Sequence, residues 1–347
     1  MEKQSGDSLS SLGEFGLINH LSERFVNKHP ETLKGIGDDA AIIATTNDHL
    51  VVTTDLLLEG IHFDLTYTPL RHLGYKAVVV NVSDVYAMNG TPKQITVSIG
   101  MSSKISLAAI EELYEGIRLA CERYNVDLIG GDTTTSLTGL TICITAIGTV
   151  KPGREVYRNG AKPNDLICVS GDLGAAYMGL QLLEREKRVF ANNPNVQPDL
   201  TNFDYVLERQ LKPEARKDVI AFLDEVGVRP TAMIDISDGL SSEIMHICKQ
   251  SQAGCRLFED KIPVDHQTSV LAEEMNINPM VAALNGGEDY ELLFTISLDD
   301  YAKFQGANTT ASIYAIGHIT TADKGCCLVT ASGSEVELQA QGWANFK

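Results

Sequence analysis

AVVVNVSDVYAM, residues 77–88, sets a single charged residue, Asp84, inside a run that is otherwise uncharged and mostly apolar. Across 70–89 the apolar side chains fall on nearly every side of a helix, which is the pattern of a helix buried all round. A carboxylate in such a helix is expensive unless a cation sits against it. The stretch therefore predicts a central buried helix with one acid facing a protein cation or a metal ion.

Working outward, five more segments carry carboxylates in comparable settings: GIGDDAA (35–41), TTDLLLEGIHF (53–63), IGGDTT (129–134), IDISDG (234–239) and NGGEDYE (285–291). Most set the acid beside glycine or at the end of an apolar run, where strands end and chains turn. Acids converging on one cleft would repel by about 4 kcal/mol per pair near 4 Å at an effective dielectric of 20. Hard cations remove that penalty, and Mg²⁺ binds through carboxylates together with substrate phosphates. The pattern suggests a metal-dependent enzyme that handles polyphosphate.

Each segment has its own reading. Adjacent acids opening a strand cannot both point inward, so Asp39 is the expected inward group and Asp38 serves the backbone. Thr53, Thr54 and Asp55 are read as a Mg²⁺ half-site at a strand terminus, with His62 seven residues beyond. Asp132 follows two glycines that admit close backbone approach. Asp235 and Asp238 flank Ser237, but Gly239 and His246 stand where a calcium loop needs its third and bidentate ligands, so an EF-hand is excluded. Glu288 leads the NGGEDYE group.

The first half reads as strands at 40–44, 49–55 (ending on Asp55), 94–100, 127–132 (ending in a glycine turn) and 140–150. Helices are expected over 14–27, 70–89 and from a Ser106 cap to 124. Strands outnumber helices, favouring an α/β fold of the α+β layer kind over a doubly wound sheet. KPGRE (151–155) breaks the pattern and divides the chain into residues 1–150 and 151–347. Beyond it lie expected strands at 165–171, 232–236, 291–296, 312–319 and 326–330, helices at 174–188, 214–226 and 240–251, and a polar proline-containing loop at 191–202.

With 347 residues the chain can bury two cores, and its net charge of −18 argues against nucleic acid as a partner. No apolar run is long enough to span a membrane, and MEKQSGDSLSSLGEF lacks the apolar stretch of a signal peptide, so the expectation is a cytoplasmic protein. The seven cysteines form no C-x-x-C pair and are read as reduced thiols, with neither zinc nor disulfides indicated. There is no G-x-x-x-x-G-K-[ST], no V-A-I-K, H-R-D or D-F-G set and no G-x-S-x-G. ATP, if used, is bound through metals.

Taken in order, GIGDDAA, the TTD…H-F segment, NVSDVYAMNG, IGGDTT, DISDG and GGEDYEL resemble the thiamine-monophosphate kinase family of the aminoimidazole-ribonucleotide-synthetase-like superfamily, from about Gly13 to Trp343. The resemblance implies a two-domain fold: an N-terminal ATP-binding domain with a mixed sheet that pairs in a homodimer, and a C-terminal α+β domain closing the cleft. It implies phosphorylation of thiamine monophosphate by ATP, with several Mg²⁺ ions on Asp39, Thr53, Thr54, Asp55, Asp84, Asp132, Asp235 and Asp238. Tyr114, Gly131, Asp132, Arg158 and Ser237 would contact ATP; His62, Glu288 and Trp343 would contact thiamine monophosphate. Selenophosphate synthetase and the hydrogenase-maturation relatives fit less well, because a reactive cysteine is missing from the N-terminal and C-terminal segments respectively. A non-catalytic MgATP sensor would not need His62, Glu288 and Trp343 together.

Overall fold

A computed structural model describes residues 16, 18, 21, 22, 27–195, 197–305 and 311–340. Of the expected helix at 14–27 only four helical positions (16, 18, 21 and 22) and the non-helical residue 27 are described, and Trp343 lies outside the described residues. Two sheets organise the rest. The first runs β1 (Thr32–Lys34), β2 (Ala41–Ala44), β3 (His49–Leu58), β6 (Thr141–Val150), β4 (Thr91–Met101), β5 (Asp127–Thr135) in spatial order. Its pairs are antiparallel except β4 with β5. β6 alternates strictly: Ile142, Ile144 and Ala146 are buried while Cys143 and Thr145 face out. Such alternation marks a sheet covered on one face only.

Two helices supply the cover, α1 (Leu70–Ala87) and α2 (Leu107–Tyr124), the latter capped by the Ser106 hydroxyl accepting from the Ala109 N–H. They cross at two glycines. A Cβ on Gly116 would stand 1.8 Å from the Arg71 carbonyl oxygen, and one on Gly74 would stand 1.9 Å from that of Leu113. Only bare backbone allows this approach. It seats α1 between α2 and the sheet, with Val78, Val82 and Val85 fully buried among Ile42, Ile95 and Ile144.

The second sheet runs β13 (Glu335–Glu337), β12 (Cys326–Val329), β9 (Ala253–Phe258), β11 (Ile313–Thr321), β7 (Leu166–Ser170), β10 (Leu292–Ile296), β8 (Ala232–Asp235). Its pairs are antiparallel except β12 with β9. β8 and β10 are buried at every residue, so both faces are covered. Ile167 and Val169 of β7 join a core with α6 (Leu240–Ser251), while Cys168 between them joins a core on the opposite face with α5 (Lys217–Glu225). The remaining helices are α3 (Ala175–Asn192), α4 (Asp204–Leu211), α7 (His266–Glu274), α8 (Pro279–Asn285) and α9 (Leu298–Gln305).

Several expectations shift. β3 does not end on Asp55, because pairing with β6 continues through Leu58, so Asp55 projects from mid-strand. The 129–134 glycines do not form a turn; they lie inside β5, which runs on to Thr135. The 191–202 segment begins as the last turn of α3 and is followed by α4, a short helix absent from the pattern reading. No helix among the described residues is long and apolar enough to cross a membrane.

Candidate active site

Carboxylate oxygens of Asp39, Asp84 and Asp235 lie within 4.8 Å of one another. Each comes from a different part of the fold: Asp39 from the turn before β2, Asp84 from the last turn of α1, Asp235 from the end of β8 in the other sheet. Local donors hold them. Thr53 Oγ1 donates to Asp84 Oδ2 at 2.6 Å, Ser83 Oγ donates to Asp235 Oδ2 at 2.6 Å, and the Arg158 guanidinium donates to Asp39 at 2.7 Å. Ser83 thus ties α1, which packs on the first sheet, to β8 of the second sheet, one residue from the acid that motivates the site.

The electrostatics follow from burial. Burial pushes Asp39 up to about 7 despite the pull of Arg158. Burial likewise moves Asp235 up to about 6, against the pull of Ser83 and Arg158. Asp84 is raised well above the carboxylate range by burial, then by Asp55, Asp235 and Asp39. These are acids short of positive charge. Asp39 Oδ2 is buried and accepts no hydrogen bond among the described residues. A hard cation against these oxygens fits the donor set, since the ligands are carboxylates at a surface open to substrate.

Asp38 serves the backbone: it accepts from the N–H groups of Asp39 and Arg158 at 3.2 Å and pairs with Lys34 at 3.1 Å. The cluster opens into a cavity of about 850 Å³ that reaches Asp55, His62, Asp84, Asp235, Ser237, Asp238 and Glu288. His62 Nδ1 accepts the Leu58 N–H at 3.0 Å, so the neutral ring carries its proton on Nε2. Glu288 is fixed by Lys76 Nζ at 3.0 Å and by Gln210 Nε2 at 3.0 Å. Its N–H donates to the Ser237 carbonyl at 2.7 Å, which locks the NGGEDYE loop onto the Ser237–Asp238 loop. Glu288 and Tyr290 both hold left-handed backbone (φ 59° and 52°), a conformation that costs a non-glycine residue and persists where surrounding contacts enforce it. Asp289 instead accepts from the Gly174 and Ala176 N–H groups at the start of α3, and Glu291 pairs with Arg209 and Arg216.

Four expected residues lie away from the carboxylate cluster and the cavity. The Thr54 side chain points to the opposite face of β3 from Thr53 and Asp55, where it donates to the Ile144 carbonyl at 3.0 Å. Strand alternation makes this unavoidable. Asp132 and Gly131 sit on β5, an edge strand exposed along its whole length, and neither lines the cavity. The close approach that Gly131 permits is to β4: a Cβ there would stand 1.8 Å from the Val97 carbonyl oxygen. Tyr114 packs half-buried against the α1–α2 core rather than the cavity.

Pattern reading overlooked Lys76, only 3% exposed and lining the same cavity. Its signal was available, since Lys76 is a further charge within the same largely apolar helix that exposed Asp84. Asp64, Tyr67, Glu184 and Lys187 also went unread. They form one wall, with Lys187 on Asp64 at 2.6 Å and Tyr67 donating to Glu184 at 2.8 Å. Nothing in their local sequence sets them apart.

Comparison with known proteins agrees with this geometry. A family model described as AIR synthase related protein, N-terminal domain, matches residues 37–150. The chain is 33% identical to thiamine-monophosphate kinase of Bacillus subtilis over 97% of its own length and 100% of the relative's. It is 33% identical to the protein of that name from Escherichia coli K12, covering 96% and 98%. Among solved structures, AaThiL complexed with AMPPCP and TMP aligns with a TM-score of 0.82 at 31% identity, covering 99% of this chain and all of that one. Hydrogenase maturation protein HypE in complex with ATP aligns at 0.69 with 19% identity over 98% and 97%, a likeness of fold alone.

Proposed function

The chain belongs to the thiamine-monophosphate kinase family, and from that premise we propose how the cavity carries out ATP-dependent phosphorylation of thiamine monophosphate to the diphosphate. The observation that carries the reading is the convergence of Asp39, Asp84 and Asp235, the last two of which line the cavity. Asp39, Asp55, Asp84, Asp235 and Asp238, with the Thr53 hydroxyl beside them, would hold Mg²⁺. When bound, the ions neutralise the phosphate chains and align them for in-line transfer.

The acceptor phosphate has a second pKa near 6 and is already mostly dianionic at neutral pH. No general base is required, which accounts for a site dominated by carboxylates. Transfer is direct, without a phosphoenzyme. Arg158, held between Asp38 and Asp39, brings a fixed positive charge to the triphosphate side. His62 offers its Nε2–H to the acceptor phosphate. Glu288, braced by Lys76 and Gln210, sets a negative charge toward the cationic thiazolium, and Trp343 would stack on that ring.

We assign residues 1–150 to nucleotide and metal binding and 151–347 to the unit that covers the cleft. The uncovered edge strand β5, with Leu128 and Ile129 exposed, supports pairing with a second copy as a homodimer. Asp132, Gly131 and Tyr114 then contact ATP only if that assembly or a domain movement brings them to it. The absence of an apolar spanning helix among the described residues fits a cytoplasmic site of action. Incubation with MgATP and thiamine monophosphate, followed by oxidation and fluorescence detection, should yield thiamine diphosphate. Nucleotide binding without that product would overturn the assignment in favour of a MgATP sensor.

A further inference from the structure

Three cysteines far apart in sequence meet in the second unit, away from the cavity. The Sγ atoms of Cys248 on α6, Cys255 on β9 and Cys326 on β12 all lie within 4.8 Å of one another. Two are buried at 2% and 0% exposure, and Cys326 is half-buried, so the group has a solvent side. Their backbone is tightly held. Cys255 and Cys326 are direct partners in the parallel β9–β12 ladder, the Cys255 N–H donates to the Gly325 carbonyl at 3.0 Å, and the Leu338 N–H donates to the Cys326 carbonyl at 2.9 Å. Arg256 adds to that hold: its Nη1 donates to the carbonyls of Cys255 and Lys324, each at 3.0 Å, while its guanidinium pairs with Glu335 at 2.9 Å.

We propose that Cys248, Cys255 and Cys326 form a three-thiolate site for a soft divalent ion of the zinc or cadmium class. Sulfurs about 4 Å apart set an ion about 2.3 Å from each, the zinc–thiolate distance. From a spread within 4.8 Å the side chains need move by under about 1 Å. Three sulfur ligands leave one coordination position open on the half-exposed side for water or an exogenous donor. As the three S–metal bonds form, three thiol protons pass to solvent. The site then carries a net charge of −1. Thiolates select soft ions, whereas the carboxylate cluster selects hard ones, so the two sites do not compete for the same metal. The ion would fasten the C-terminal end of α6 to β9 and β12, the same helix whose N-terminal end follows Ser237 and Asp238.

The test titrates Cd²⁺ into the reduced full-length enzyme in excess Mg²⁺, following sulfur-to-cadmium charge-transfer absorption, which carboxylate binding does not produce. The expected result is a band saturating at one Cd²⁺ per chain, weakened at least tenfold in affinity by Cys326→Ser and unchanged by Cys327→Ser, whose side chain lies on the other face of β12. A second readout uses wild-type protein alone: bound Cd²⁺ should protect Cys326, but not Cys327, from alkylation. Absence of a saturable band, an unaltered band in Cys326→Ser, or equal alkylation of Cys326 with and without Cd²⁺ would overturn the site.

Discussion

Replacing Asp84 with asparagine separates charge from shape at the centre of the carboxylate cluster. Asparagine keeps the size of the side chain and can still accept the Thr53 hydroxyl now bonded to Asp84 Oδ2. What disappears is one negative charge from three whose oxygens lie within 4.8 Å. At that distance and an effective dielectric of 20, each fully ionised pair repels by about 3.5 kcal/mol, and Asp84 belongs to two such pairs. Protonation relieves part of this in the metal-free enzyme, since all three acids are raised. A net stabilisation of about 2 kcal/mol therefore remains for the metal-free variant near pH 8, while removal of a metal ligand should cut turnover at least ~100-fold. The two effects have opposite signs. Chemical denaturation in EDTA at pH 8 and product formation in saturating MgATP measure them on the same preparation. An EDTA form less stable than wild type, or turnover within threefold of wild type, would refute the reasoning.

Other expectations rest on separate features. For pH, Asp39 and Asp235 have folded values of about 7 and about 6, above their ordinary 3.8. Their contribution to stability is then complete below about pH 4 and is lost as pH rises through 6 to 7, so Mg²⁺ should raise Tm far more at pH 8 than at pH 5.5; equal Mg²⁺ shifts at both would count against it. Lys76→Met strands Glu288 without its ion-pair partner and should cost about 2–4 kcal/mol in urea unfolding together with a raised KM for thiamine monophosphate, whereas unchanged stability would show the pair to be idle. Gly116→Ala drives a methyl group into the Arg71 carbonyl and should cost about 2–3 kcal/mol or more; a shift under 0.5 kcal/mol would mean the helices separate freely. His62→Gln, retaining an N–H donor without the ring, should raise KM for thiamine monophosphate more than KM for ATP, and an ATP-only effect would move His62 to the other substrate.

What could be read from sequence depended on whether the physical signal was local. Asp84 was legible because a charge in an otherwise uncharged, mostly apolar run contradicts its own surroundings, and Ser106 because a cap is a short-range device. Thr53 and Thr54 show a reading that stopped too early: period-two alternation separates them by face, and once β3 is a full strand only Thr53 and Asp55 share the cluster side. Gly131 misled because its reason lies across the sheet, in the Val97 carbonyl. α7, HQTSVLAEE, and α4, DYVLERQL, carry too few apolar residues to advertise a helix, and tertiary contacts settle them. No spacing rule brings Cys326 beside Cys248. Which of the six acidic segments share oxygens within 4.8 Å is likewise a property of the docking between sheets, not of any segment.

The Ser83–Asp235 bond has a bearing on synthesis. During translation the acids at 39, 55 and 84 emerge first, and a chain grown only to Val150 holds them without Arg158 to answer Asp39 or Ser83's partner to complete the triad. Arg158 arrives eight residues into the connecting segment, and Asp235 later still. The nascent first half is thus an electrostatically unfinished object, and the ribosome delivers its counter-charge before it delivers the remaining acid.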